Sequence, residues 1–168
     1  MNYFELFEIP VQLKVNPALL SKRFFELSRK YHPDHSATES AEVQAEALDR
    51  SALLNKAWKT FQNPDATIKY VLLEKGLLQE EEKYELPPAF LMEVLEINEQ
   101  LMEMDETTDR DKLSSIISQL SSEIYEPVKE TVENYKDGIV TEKELLQVKE
   151  YYYKKKYLDR ITRELTSK

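Results

Sequence analysis

The stretch Arg29-Lys30-Tyr31-His32-Pro33-Asp34-His35 decides how the first half of this chain folds. Pro33 disfavours helical geometry at His32, so a helix arriving from the N-terminal side must stop near Tyr31. That helix starts at Asn16-Pro17, with Asn as the cap and Pro at the first helical position. Between these limits Leu20, Phe24, Leu27 and Tyr31 recur at spacings of four, three and four, which makes one apolar stripe. Lys22, Glu26 and Arg29 point away from the stripe, and Arg23 and Lys30 flank it. Past the loop a second helix is expected from about Ser40 to Gln62, with Val43, Ala47, Leu54, Ala57, Trp58 and Phe61 apolar. The stripes of the two helices can bury each other as an antiparallel pair. Asn63-Pro64 caps a third helix bearing Ile68, Val71 and Leu72, and Gly76 ends it. Tyr3, Phe4, Leu6 and Phe7 can cover the open end of the pair.

Composition agrees with helices throughout. The chain has 168 residues, of which 41% are hydrophobic and only two are Gly, too few for sandwiches, barrels or glycine-rich phosphate loops. The reading is an all-α fold. Cysteine is absent, which excludes a disulfide framework, a thiolate nucleophile and Cys-held metal centres in this chain. The net charge of −9 disfavours non-specific nucleic-acid binding. No apolar run reaches membrane-spanning length, and Met1 to Pro10 lack the basic and apolar regions of a signal peptide. A cytoplasmic protein without membrane or nucleic-acid partners is expected.

After Gly76 come the acidic stretch Gln79 to Glu85 and then Pro87-Pro88. This predicts a boundary: a module over residues 1–76, a linker over 77–87 and a second module over 88–168. Charge splits at the same place. Residues 1–76 carry ten basic and ten acidic side chains, whereas residues 77–168 carry thirteen and twenty-two. Such asymmetry suggests different partners for the two modules.

The second module reads as a three-helix bundle: Pro88 to about Met104, Asp109 to Tyr135, and Thr141 to about Leu165. Leu113, Ile117, Leu120, Ile124, Val128 and Val132 give the middle helix its stripe, and Pro127 inside it predicts a kink or break. Thr141 and Glu144 make a capping box. In the first helix, Phe90, Val94, Ile97, Leu101 and Met104 already form a complete stripe. Leu91, Met92, Leu95 and Met102 form a second apolar face, bordered by Glu96, Glu99 and Glu103. That face is either buried against a neighbouring helix or exposed as a protein-binding patch, and the acidic border favours the patch.

His32-Pro33-Asp34 between two antiparallel helices, preceded by Lys22-Arg23-Phe24 and Arg29-Lys30-Tyr31 and followed by Asn55, Ala57 and Trp58, resembles the J domain of DnaJ-type co-chaperones over residues 1–76. His35 stands where many members carry Lys. The N-terminal Tyr3-Phe4-Glu5-Leu6-Phe7 and the Phe90-Leu91-Met92-Glu93 run after the linker narrow the resemblance to the HscB-type iron–sulfur co-chaperones, over essentially the whole chain.

The resemblance implies two partners. A HscA/DnaK-type chaperone would dock on Lys22, Arg23, Arg29 and Lys30 and be triggered by His32, Pro33 and Asp34. An IscU-type scaffold protein would bind Leu91, Met92, Leu95, Glu96, Glu99, Glu103 and Tyr157. It implies no enzymatic activity and no resident cofactor or metal. Two alternatives stay open on the residues alone. One is a J-domain co-chaperone whose bundle binds a different client. The other is a metal-dependent enzyme using His32, Asp34 and His35, although Pro33 restricts their convergence and no fourth ligand stands out.

Overall fold

The computed structural model describes residues 1–104 and 107–167, and among these no residue is in a strand. The first module holds α1 (Tyr3–Phe7), α2 (Pro17–Lys30), a 3₁₀ turn (Pro33–Ser36), α3 (Ala41–Gln62) and α4 (Pro64–Glu74). The caps expected at Asn16 and Asn63 are present, and Ser40 caps α3. Asn16 Oδ1 accepts from the N–H groups of Ala18 and Leu19, Ser40 Oγ from Val43, and Asn63 Oδ1 from Ala66. Helices α2 and α3 are zipped by Leu20, Leu27, Leu54, Ala57 and Phe61, all buried, and by Phe24 stacked on Trp58 with ring centroids 3.5 Å apart. The α1 aromatics close the end of the pair on Phe61: Phe4 at 4.8 Å and Phe7 at 5.3 Å between centroids.

The first turns of α3 depart from the expected stripe, because Val43 is exposed. Helix length explains it. At 1.5 Å per residue α3 is about 12 Å longer than α2, so its leading turns extend beyond the end of α2. Arg50, further along α3, donates to Tyr31 Oη at the end of α2, at 3.3 Å.

The α3–α4 corner is fastened by Thr67, which is fully buried. Its hydroxyl donates to the carbonyls of Thr60 (3.1 Å) and Asn63 (2.9 Å). Thr67→Val keeps the shape and removes the donor, so it should cost about 1–2 kcal/mol in a urea melt. Gly76, at φ +72°, then ends α4 in a left-handed turn, with the Leu77 N–H donating to the Leu72 carbonyl at 2.9 Å.

The second module holds α5 (Pro88–Glu103), α6 (Thr107–Tyr125), a 3₁₀ turn (Glu126–Val128), α7 (Lys129–Glu133) and α8 (Glu142–Thr166). The helix expected over 109–135 is broken at Pro127, which has no N–H to continue the ladder. Its stripe is nevertheless buried from Leu113 to Val132, against Leu145, Val148, Leu158 and Ile161 of α8.

Helix α4 packs against α8, so the core runs continuously from one module into the other. Residues 77–87 lie along α8. Leu78 is buried, Tyr84 stacks on Tyr153 at 4.6 Å, and Lys149 Nζ sits 2.6 Å from Glu82. Two further ion pairs cross the junction: Lys75–Asp137 at 2.6 Å and Lys155–Asp65 at 3.2 Å.

The Lys75 ammonium, and then the Tyr135 hydroxyl, hold the Asp137 carboxyl below its usual range. A depressed carboxyl contributes stability that is full above its unfolded value, near 4, and is lost as pH falls through the folded value. Asp137→Asn should therefore melt with a shallower loss of stability than the wild type below about pH 4. The gap should stay under about 1 kcal/mol, because the pair is half in water. Parallel melts from pH 6 to pH 2.5 check it.

Candidate partner-binding surfaces

The first surface is the loop that Pro33 creates. The Asp34 N–H donates to His32 Nδ1 at 3.2 Å, which leaves Nε2–H of the neutral ring available to a partner. Asp34 Oδ2 lies 3.5 Å from the same nitrogen and pairs with it only when the ring is protonated. Beneath them Ser36 Oγ, buried, donates to the Pro33 carbonyl at 3.1 Å. Gln44 at the start of α3 donates to the carbonyls of Ala37 and Glu39. The backbone is thus tied down while the side chains of His32 and Asp34 are 57% and 90% exposed. Such a loop pays little ordering entropy on docking.

Lys22, Arg29 and Lys30 are exposed on α2 beside this loop. Arg23 differs: it is half-buried, with Glu8 and Glu26 each 3.7 Å from its guanidinium. The free positive charge of the helix is therefore carried by the other three. Phe25 completes the patch. It is 61% exposed, one helical turn from both Lys22 and Arg29. Its signal in the sequence is an aromatic ring that falls outside the apolar stripe, which the periodicity argument passes over.

The second surface is on α5. Phe90, Val94, Ile97 and Leu101 are buried, whereas Leu91, Met92, Leu95 and Met102 are 43%, 61%, 51% and 80% exposed. The question left open by the sequence is answered: among the described residues no helix covers the second apolar face. Glu96, Glu99 and Glu103 are exposed along its edge, on the side away from Leu91. Four large apolar side chains at helical spacing, bordered by carboxylates, make a patch of the kind that binds protein.

Tyr157 comes to this surface from α8. It is half-buried and lines, with Leu91, one groove of about 660 Å³ between α8 and residues 82–86. Met92, Leu95, Glu99 and Glu103 lie on the same α5 face outside the groove, and Glu96 also borders the cleft between α5 and α6. Tyr151 and Tyr152 are buried, and desolvation pushes the Tyr153 hydroxyl up to about 12.

Among the described residues no cluster of three or more His, Asp or Glu side chains is placed to hold a metal ion, and no helix is long and apolar enough to cross a membrane.

Residues 86–166 match the family model of the HSCB C-terminal oligomerisation domain. Over 99% of its length the chain superposes on the crystal structure of human co-chaperone protein HscB, with a TM-score of 0.80 and 27% identity, covering 81% of that chain. It also superposes on the chaperone HscB from Vibrio cholerae, with a TM-score of 0.74 and 25% identity, over 99% of this chain and 96% of that one.

Proposed function

We propose that the chain is an HscB-type co-chaperone, which stimulates the ATPase of a HscA/DnaK-type chaperone while delivering an IscU-type scaffold protein for iron–sulfur cluster assembly or transfer. Residues 1–76 act as the J module, residues 88–168 bind the scaffold, and residues 77–87 join them. The observation that carries this reading is the exposed apolar face of α5, presented by the same body that presents the tied-down His-Pro-Asp loop.

The roles follow from chemistry. Lys22, Arg29 and Lys30 steer the chaperone's acidic surface and set the encounter rate. Arg23, held between Glu8 and Glu26, contributes less charge and more shape. Asp34 offers an unpaired carboxylate to a guanidinium, and His32 offers its Nε2–H. Pro33 fixes the spacing between them. The protein performs no covalent chemistry; it lowers the chaperone's own barrier to hydrolysis by binding its reactive state more tightly than its resting one. On the other module Leu91, Met92 and Leu95 bury against the scaffold, with Tyr157 as an anchor and Glu96, Glu99 and Glu103 meeting basic side chains. Because the core is continuous between the modules, a scaffold docked on α5 is held at a fixed place relative to the loop.

Calorimetric titration of an IscU-type scaffold into the protein, followed by gel filtration with the ATP-bound chaperone, tests the reading. Saturable binding and a three-component peak are expected. Heat-silent titrations and separate peaks would contradict it.

A further inference from the structure

The groove between α8 and residues 82–86 has a charge opposite to that of the rest of its module. Its walls are largely apolar: Leu86, Leu91, Tyr157 and the stacked rings of Tyr84 and Tyr153. Its charged groups are mostly cations. Lys83 and Lys156 have no ion-pair partner among the described residues, and Lys156 Nζ sits 6.0 Å over the Tyr153 ring. Arg160 is 68% exposed, with Glu164 at 3.8 Å its one acidic neighbour within ion-pair reach. Of the two carboxylates lining the groove, Glu82 is tied to Lys149 at 2.6 Å and accepts from the Gln79 N–H, which leaves Glu85 alone uncommitted.

In a half-chain carrying thirteen basic and twenty-two acidic side chains, this is a local reversal of sign. It adjoins the α5 face, because Leu91 belongs to both. The combined surface is therefore two-signed: carboxylates along α5, apolar side chains in the middle, cations on α8.

We propose that this groove is a second half of the scaffold-binding surface, which receives a segment of the scaffold carrying an apolar side chain next to a carboxylate. The apolar group enters between Leu86, Leu91 and Tyr157, and the carboxylate meets Lys156 and Arg160. The two signs then fix the direction in which the scaffold lies, since reversal sets acid against Glu99 and base against Arg160. The proposal rests on the scaffold reading above and adds to it the chemistry of the docked segment.

The test is calorimetric titration of the scaffold protein into the full chain at 50 and 300 mM salt. Lys156→Glu/Arg160→Glu is compared with the wild type, with Leu91→Ala/Leu95→Ala and with a control of equal charge change, Lys129→Glu/Lys136→Glu. The groove variant should bind at least about tenfold more weakly at 50 mM salt, with the gap to the wild type narrowing at 300 mM, while the control stays within about twofold. Lys156→Gln/Arg160→Gln should fall between them. The substituted lysines and arginine are surface cations, and unchanged melting curves exclude misfolding as the cause. Groove and control variants binding alike would overturn the proposal while leaving the scaffold reading intact, provided the leucine variant loses affinity. A wild type that does not bind scaffold overturns both.

Discussion

His32→Gln should abolish stimulation of the chaperone ATPase while leaving the fold unchanged. His32 contributes almost nothing to the core: its side chain is 57% exposed, and its Nδ1 accepts the Asp34 N–H. The Gln carbonyl can accept the same N–H, so the loop keeps its turn, and stability should move by less than about 0.5 kcal/mol. What Gln lacks is a ring donor at the position of Nε2. A contact made in the reactive complex and absent from the resting one lowers the barrier directly, so its loss removes rate rather than affinity. Phosphate release by the chaperone should return to its unstimulated rate, with less than about a tenth of the wild-type increment left. Wild-type stimulation by the variant would show that the loop is not the trigger. Asp34→Asn should fall between the two, because it keeps the backbone donor and removes only the charge.

Leu91→Ala/Leu95→Ala should weaken scaffold binding by about a hundredfold, on the order of 3 kcal/mol. Both leucines sit on the uncovered face, so removing them leaves the stripe of Phe90, Val94, Ile97 and Leu101 intact and the melting temperature nearly unchanged. Val94→Ala gives the contrast. It sits one residue away and is 2% exposed, so its truncation should destabilise the fold and spare scaffold affinity in whatever fraction remains folded. If the two variants exchanged these effects, the faces of α5 would have been assigned the wrong way round. Stimulation of the chaperone in the absence of scaffold should be the same for Leu91→Ala/Leu95→Ala as for the wild type.

Much of this was legible because it is local. Asn16, Ser40, Asn63 and Thr141 each announce a helix start by a side chain that satisfies a free N–H two or three residues on, and each does so in the structure. Pro127 breaks the middle bundle helix because the effect of proline on the backbone needs no tertiary context. The exposure of the α5 face was not legible in the same way. A helix with two apolar stripes has the same sequence whether one neighbour covers it or two, and the choice is made by where α6 and α8 lie. The attachment of residues 77–87 was hidden for a similar reason. Tyr84 on Tyr153 and Glu82 on Lys149 are pairs far apart in the chain, with no period to reveal them. The groove lined by Leu86, Lys156 and Arg160 exists only because that segment is held against α8. The unevenness of the basic helix also needed coordinates. Arg23 reads like its neighbours in sequence, yet it is taken up by Glu8 from the turn after α1.

The central claim is that one body carries both a trigger for the chaperone and a dock for its client. Single-turnover ATP hydrolysis by a HscA-type chaperone, with wild-type protein and with or without IscU-type scaffold, measures it most directly. The rate should rise with the protein alone and rise further when scaffold is added, and both increments should be absent with His32→Gln. A rate that rises with the protein and is indifferent to scaffold would contradict the claim.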